Sequence, residues 1–192
     1  MTEEVPPEER VRALVAMLAD GTTATVEQFR GLSAEEIRAV GADQPAPLAA
    51  AYRCFLSLIG GGAGRFLRGS DVFHPDVLGL GEAARELLAE NEVAFTLTDA
   101  DRVILMHQGY QFDFLRGDGD DPQVWSYSEG GEPEDGPSLR HARFTDWLDG
   151  QVREQTEAWA TLVPKHEAEQ RQDPARVTYH RHHPDGSVSE GI

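Results

Sequence analysis

The sequence predicts an α+β fold in which a central, mainly antiparallel β-sheet is flanked by helices. Apolar residues recur at helical spacing through residues 11–92, at strand spacing through residues 93–129, and at helical spacing again from residue 144. The segments between the predicted strands are shorter than the dozen residues that a parallel crossover needs, so neighbouring strands form a meander. Helices before and after such a meander are typical of the α+β class.

Four helices are predicted before the sheet. The first has one apolar stripe at i, i+3, i+4 and i+7, formed by Val11, Leu14, Val15 and Leu18. The second begins at Ser33, which forms a capping box with Glu36. The third covers residues 48–59 and stops at Gly60, and the fourth covers residues 82–91.

Four strands are predicted in the sheet region. Residues 93–98 and 124–129 form the outer two of these segments. Residues 102–108 include the run VILM, which is apolar on both faces and therefore indicates a central strand. In the remaining strand Phe112 and Phe114 alternate with polar residues, which places both rings on one face.

A polar loop at residues 130–137 follows the sheet, and a helix begins at Phe144. Pro164 is expected to break or kink this helix, because proline lacks the N–H that a helix interior needs. We therefore predict a single domain over residues 1–164. Residues 165–192 are expected to form a polar tail rich in His and Arg, either a small hairpin or a mobile segment.

Composition excludes several classes of protein. The 192 residues suit one domain, and 34 acidic against 17 basic residues give a net charge of −17. That charge would repel a phosphate backbone, so a general nucleic-acid binder is excluded. A single cysteine excludes a disulfide scaffold. The acidic start lacks the features of a signal peptide, and no segment approaches the roughly 18 apolar residues of a membrane span, so a cytoplasmic protein without membrane contact is expected.

Two motifs invite a ligand-binding interpretation that their context does not favour. The glycine run at residues 59–64 follows a predicted helix and ends in Gly-Arg-Phe, whereas a phosphate loop follows a strand and ends in Gly-Lys-Ser/Thr. A helix stop and a tight turn are the favoured interpretation. The segment DGDDP at 118–122 lacks the spacing of an EF-hand, since Pro122 and Gln123 occupy a ligand position and the glycine position.

No catalytic residue, metal site or cofactor is predicted. His180, His182 and His183 lack a second rigid element with ligand spacing, so a solvated tail is favoured over a metal site. His107 ends a buried strand and is interpreted as a structural histidine in preference to a general base. Cys54 lies on the apolar side of a helix, where a thiol does not act as a nucleophile.

Charge is the most informative feature of the sequence. Residues 113–135 contain one base, Arg116, and the acids Asp113, Asp118, Asp120, Asp121, Glu129, Glu132, Glu134 and Asp135. Several of these acids fall in loops that we expect at one end of the meander. They form either a solvated, solubilising face or a docking surface for a basic protein, and charge alone leaves both interpretations open.

The sequence resembles the SUKH superfamily of bacterial toxin-immunity proteins, which are related to the yeast Smi/Knr cell-wall regulators. The resemblance covers residues 31–152 and rests on AYRCFLSLIGGGAGRF, GSD, VILMHQGYQFDFLR, DDPQVWSYSEG and FTDWLDGQV. It departs from the family pattern between Gly41 and Leu48. It implies an α+β fold in which most of the motif residues form the core. These are Phe55, Phe66, Phe112, Phe114, Trp125 and Trp147, with Gly60, Gly64 and Gly69 in turns.

The resemblance also implies a function without catalysis, namely binding and neutralising a cognate toxin, often a nuclease. Together with the charge, it predicts a basic toxin as partner. The predicted contact residues are Asp118, Asp120, Asp121, Glu129, Glu132, Glu134 and Asp135. Two alternatives remain. One is a housekeeping interaction scaffold of the same fold, and the other is a metal-dependent hydrolase that uses His107 and nearby carboxylates.

Overall fold

The structure, a computed structural model, describes residues 5–130, 136–172, 179–182 and 188–191, with side chains as far as residue 164. The helices are α1 (Pro7–Met17), α2 (Ala34–Asp43), α3 (Ala50–Ile59), α4 (Leu80–Glu90) and α5 (Phe144–Gln172). The strands are β1 (Phe29–Arg30), β2 (Gly62–Ala63), β3 (Ser70–Asp71), β4 (Asp101–His107), β5 (Gln111–Arg116), β6 (Gln123–Ser128), β7 (Ser138–His141), β8 (Tyr179–His182) and β9 (Val188–Gly191).

The central sheet has the order β3-β4-β5-β6-β7, and every neighbouring pair is antiparallel. The predicted α+β class and the antiparallel meander are therefore confirmed. Two smaller sheets, β1-β2 and β8-β9, are also antiparallel. The β4–β5 pairing is interrupted by a register shift between Val103 and Leu105, which marks a bulge in the most deeply buried strand.

The strand predicted at residues 93–98 is wrong. This segment is irregular, and β3 takes the place beside β4. Local hydrogen bonds explain the difference, because the N–H and the hydroxyl of Thr98 both donate to the Asp101 carboxylate, at 2.8 and 2.9 Å. Phe95 lies in the irregular segment and packs its ring 6.0 Å from that of Phe114. The apolar character of the segment therefore serves packing against the sheet.

Two further elements differ from expectation. Strand β7 was not predicted, since Ser138–His141 is short and exposed and lacks an apolar alternation. Helix α5 continues through Pro164 to Gln172, so Pro164 does not end it. The residue boundary predicted at 164 falls inside this helix. The proline lies in an exposed stretch, where water can satisfy the backbone carbonyl that loses its helical N–H partner.

The helix signals of the N-terminal half are confirmed. The Ser33 hydroxyl accepts the Glu36 N–H, and the Glu36 carboxylate accepts the Ser33 N–H at 2.7 Å, which completes the capping box. Gly60 ends α3 with an ordinary φ of −59°, and it is required for space, because a Cβ there would lie 2.6 Å from the Leu56 carbonyl oxygen. Gly64 has a φ of +60°, and its Cβ would lie 2.6 Å from the Thr23 carbonyl oxygen.

The core lies between the sheet and the helices, and the aromatic residues expected there form it. Phe112 and Phe114 point to one face of β5, while Asp113 on the other face accepts a hydrogen bond of 2.9 Å from the Trp147 indole of α5. Trp125 is half-buried against this core. The remaining predicted core rings are also buried: Phe55 and Phe66. Within the described residues, no helix combines the length and the apolar character that crossing a membrane requires.

Candidate functional site

The loop between β5 and β6, residues 117–122, brings two predicted contact residues to the surface. The side chains of Asp118 and Asp120 are exposed. Within the described part of the chain, neither carboxylate has a hydrogen bond or an ion pair. Both negative charges are therefore available to a cation on a partner. We call this loop, together with residues 46–50 beside it, the β5–β6 end.

The loop of the β5–β6 end is held by contacts with three helices. The Asp120 carbonyl accepts the Ala51 N–H at 2.8 Å in the first turn of α3. The Asp121 carboxylate accepts the N–H and the hydroxyl of Thr145, at 2.9 and 2.6 Å, in the first turn of α5. Arg10 of α1 lies 3.7 Å from the same carboxylate. A loop attached to three helices presents its outer carboxylates from a defined position.

Asp121 therefore has a different role from its two neighbours. Its side chain is only 10% exposed, and both carboxylate oxygens are used inside the protein. Arg10 also pairs with Asp146 at 2.8 Å. Burial alone would raise the pKa of Asp146, but hydrogen bonds from Arg10 and Arg143 outweigh it and hold that pKa below its ordinary value. Asp121 is thus part of a structural ion-pair network with Arg10 and Asp146.

Two grooves lie on either side of Leu48 and Asp120, which contribute to both. The first groove has a volume of about 440 Å³ and includes Asp118 and the buried Arg102 in its lining. The second has a volume of about 460 Å³ and is lined by charged residues of both signs, including Glu8 and Arg53. The β5–β6 end therefore combines exposed negative charge with concave surface on both sides.

Arg102 shapes the wall of the first groove from beneath. Its side chain is buried, and its guanidinium donates to the carbonyls of Val40 at 2.8 Å, Gly41 at 3.0 Å, Gln44 at 2.8 Å and Ala46 at 3.0 Å. The carbonyls of Val40 and Gly41 belong to the last turn of α2, where a helix leaves carbonyls without helical partners, and those of Gln44 and Ala46 follow the helix. One cation therefore holds the segment that connects α2 to α3.

Two neighbours complete this buried arrangement. The Gln44 amide donates to the Val103 carbonyl at 2.9 Å, and its oxygen accepts the Val103 N–H at 2.8 Å, so the side chain pairs with β4 like a backbone unit. The Tyr52 hydroxyl is buried without a hydrogen-bond partner in the described structure. Burial raises the pKa of Tyr52, and it lowers the pKa of Arg102 because the charged guanidinium is removed from water.

Asp118, Asp120 and Asp121 share one end of the meander, as expected for several of the acids, but Glu129 lies at the other end. Glu129 is exposed and follows Ser128, which pairs with Gln111 at the opposite end of β5 from the 117–122 loop. The Glu129 N–H donates to the Tyr110 carbonyl at 2.8 Å. Successive hairpin turns of a meander alternate between ends, and the six residues of β5 separate them by about 20 Å. The other three predicted contact residues, Glu132, Glu134 and Asp135, lie outside the described residues.

The other polar residues singled out in the sequence have structural partners. The Nδ1 atom of His107 lies 2.9 Å from the Ser70 hydroxyl, and the Tyr110 ring packs edge-on against the imidazole at 5.5 Å. The Cys54 thiol is buried, which raises its pKa, and it donates to the Glu8 carbonyl at 3.6 Å.

Among residues whose side chains the structure describes, no three His, Cys, Asp or Glu side chains gather as metal ligands. The side chains of His180, His182 and His183 lie outside that part of the chain.

Sequence reasoning missed one residue of the β5–β6 end, Leu48, and two arginines that hold this end or the segment beside it, Arg102 and Arg10. Arg102 was hidden in an apolar strand, although a cation in such a strand signals buried acceptors nearby. Leu48 was assigned to a helix, whereas it precedes α3 and lines both grooves. Arg10 lies next to the apolar stripe of α1, and nothing in its sequence context indicates a partner as distant as Asp121.

Comparison of the chain with protein families and with curated proteins adds no relative to this description: no family model matches it, and no curated protein matches it.

Proposed function

We propose that this protein is a binding protein that uses the β5–β6 end to hold a basic partner protein. The observation that carries the proposal is the pair of exposed carboxylates, Asp118 and Asp120, which have no partner of their own in the described structure. Most surface carboxylates are solvated, but these two stand on a loop tied to α3 and α5 and border concave surface. A prepositioned charge next to a groove is the arrangement that a lysine or arginine of a partner recognises.

The partner class that we propose is a cognate toxin, which the protein neutralises as an immunity protein of the SUKH type. The net charge of −17 supports a basic partner, because complementary fields accelerate association. A toxin that acts on nucleic acid holds the phosphates on a cationic surface, and carboxylates can occupy the positions of the phosphates there. Such neutralisation requires a rigid charged surface and no reaction in this chain.

The experiment measures binding to a basic toxin encoded beside this gene. We expect the double variant Asp118→Lys/Asp120→Lys to raise the dissociation constant by at least about tenfold, with most of the change in the association rate. Affinity for the unmodified protein should fall as salt increases, because exposed charges are screened. Surface plasmon resonance at several salt concentrations gives both quantities.

Two matched variants make the result specific. Glu86→Lys/Glu90→Lys reverses two exposed carboxylates on α4, the same total change of charge, and it should leave the dissociation constant within about twofold. Glu129→Lys tests the opposite end of the sheet. Unchanged binding by the double variant would remove the β5–β6 end from the interface, and an effect of Glu129→Lys alone would move the interface to the other end.

The toxin itself is tested separately from the surface. If no neighbouring gene product binds, and deletion of this gene harms cells that contain no toxin, the immunity proposal is wrong and the housekeeping scaffold replaces it. A co-expression assay with the neighbouring toxin gene distinguishes the two outcomes. Survival with this protein and death without it supports neutralisation.

A further inference from the structure

A third groove, remote in sequence from the acidic loops, surrounds the glycine turn after α3. It has a volume of about 460 Å³. Its lining comes from β1, β2, β3 and the turns between them, and includes Gly61–Gly64, Arg30, Arg68, Ser70 and Phe73. We call it the glycine-turn groove. It contains no Asp or Glu, in a chain with 34 acidic residues.

The two arginines of the glycine-turn groove have no carboxylate partner in the described part of the chain. Carboxylates pair with several other arginines, namely Arg10, Arg116, Arg140, Arg143 and Arg153. Arg30 and Arg68 are exposed, and neither guanidinium has a hydrogen bond, ion pair or ring contact with any side chain or backbone group in the described residues. With acids in twofold excess, two such guanidinium groups on one groove indicate an anion-binding surface.

The backbone around the glycine-turn groove turns sharply. Left-handed conformations recur along the turn, with φ of +60° at Gly64, +51° at Leu67 and +91° at Gly69. The N–H groups of Phe66, Arg68 and Ser70 donate to carbonyls within the turn, so the backbone gives the groove its shape while side chains supply the free donors. The hydroxyl of Ser70 adds a side-chain group whose position is held by His107 at 2.9 Å.

The groove also has an apolar wall. Phe66 is buried, and the half-buried Phe73 stacks on Phe55 with ring centroids 6.5 Å apart and planes 13° apart. The ring of Phe73 is therefore held in place, and it lines the same groove as Arg30 and Arg68. An anion that carries a flat apolar group fits this combination better than a bare ion does.

We propose that the glycine-turn groove binds the phosphate group of a small phosphate monoester. Arg30 and Arg68 would supply charged, planar donors that match phosphate oxygens, and Phe73 would contact the organic part of the ester. The site differs from a phosphate loop of nucleotide-hydrolysing enzymes, because the glycines follow a helix and no Gly-Lys-Ser/Thr is present. The inference does not depend on the proposed toxin partner.

The test titrates the full chain with inorganic phosphate and with phenyl phosphate, against sodium chloride at equal ionic strength. In ¹H–¹⁵N spectra, we expect saturable shifts of the amides of Gly62, Gly64 and Gly69 with both phosphates and none with chloride. Phenyl phosphate should bind more tightly than inorganic phosphate, because only its ring reaches Phe73. Equal affinities for phenyl phosphate and inorganic phosphate would still support a phosphate site but would contradict the contact proposed for Phe73.

Variants of the exposed arginines complete the test. Arg30→Gln and Arg68→Gln should each weaken phenyl phosphate binding by about tenfold, because each removes a charge-assisted contact. Arg38→Gln, which changes an exposed arginine of α2, should bind like the parent. Thermal unfolding confirms that the variants fold. Unaltered affinity in both groove variants, or the absence of a phosphate-specific shift in the parent, would overturn the proposal.

Discussion

At the scale of single residues, Arg102 shows how one buried guanidinium can hold a strand, a helix end and a loop together. Its guanidinium satisfies carbonyls of Val40, Gly41, Gln44 and Ala46, which would otherwise be buried without donors. Arginine presents five N–H donors in a fixed plane, and no other side chain can reach as many acceptors at once. The shape of the groove beside Asp118 therefore depends on a residue that a partner would scarcely touch.

Replacing Arg102 tests this role. Arg102→Met keeps much of the side-chain volume but removes every donor, so the free energy of unfolding should fall by about 3 kcal/mol or more. The measurement is urea unfolding followed by circular dichroism. Arg85→Met is the matched control, because Arg85 is exposed and donates only to the Gly81 carbonyl, and it should cost less than about 0.5 kcal/mol. A similar loss in both variants would contradict the role assigned to Arg102.

At the scale of elements, periodicity predicted the long helices and the central strands and failed where contacts override it. The stripe of α1 and the capping box of α2 are local signals, and both are confirmed. Strand β7 and the edge strand β3 have no local signal, because each is short and is defined by its neighbour. Residues 93–98 carried a strand-like pattern, but side-chain hydrogen bonds of Asp101 to Thr98 turn the chain there.

The first turn of α5 gives a prediction for an element. Asp121 caps Thr145 from a distant loop, so Asp121→Ala should lower the free energy of unfolding by about 1 to 2 kcal/mol. Asp118→Ala changes an exposed neighbour in the same loop and should alter it by less than about 0.5 kcal/mol. Guanidinium unfolding of the two variants gives the comparison. Equal stability of both would show that the cap contributes nothing.

This difference also bears on how much of the candidate site the sequence could reveal. All of the acids of the 118–121 segment look equivalent in the sequence, yet only Asp118 and Asp120 are free for a partner. Which carboxylate turns inward depends on where α1 and α5 pack, and that is a long-range property. The acidic segment was predictable from composition. Which of its carboxylates is exposed and which is buried as a structural group was not.

At the scale of the whole molecule, the charge opposes folding. A net charge of −17 repels itself in the compact state, and the ion pairs described above neutralise only part of it. We expect the free energy of unfolding to rise by on the order of 1 kcal/mol when sodium chloride increases from about 0.02 M to about 0.5 M. Urea unfolding at both concentrations checks this, and a decrease would mean that salt weakens attractive pairs more than it relieves repulsion.

The alternation of hairpin turns has a consequence for how such a protein changes over time. The carboxylates Asp118 and Glu129 stand at opposite ends of β5, about 20 Å apart by strand geometry. Substitutions at positions so far apart add nearly independently in free energy. Substitutions at one end, whether selected or engineered, can therefore change the affinity that this end contributes without requiring compensating substitutions at the other end.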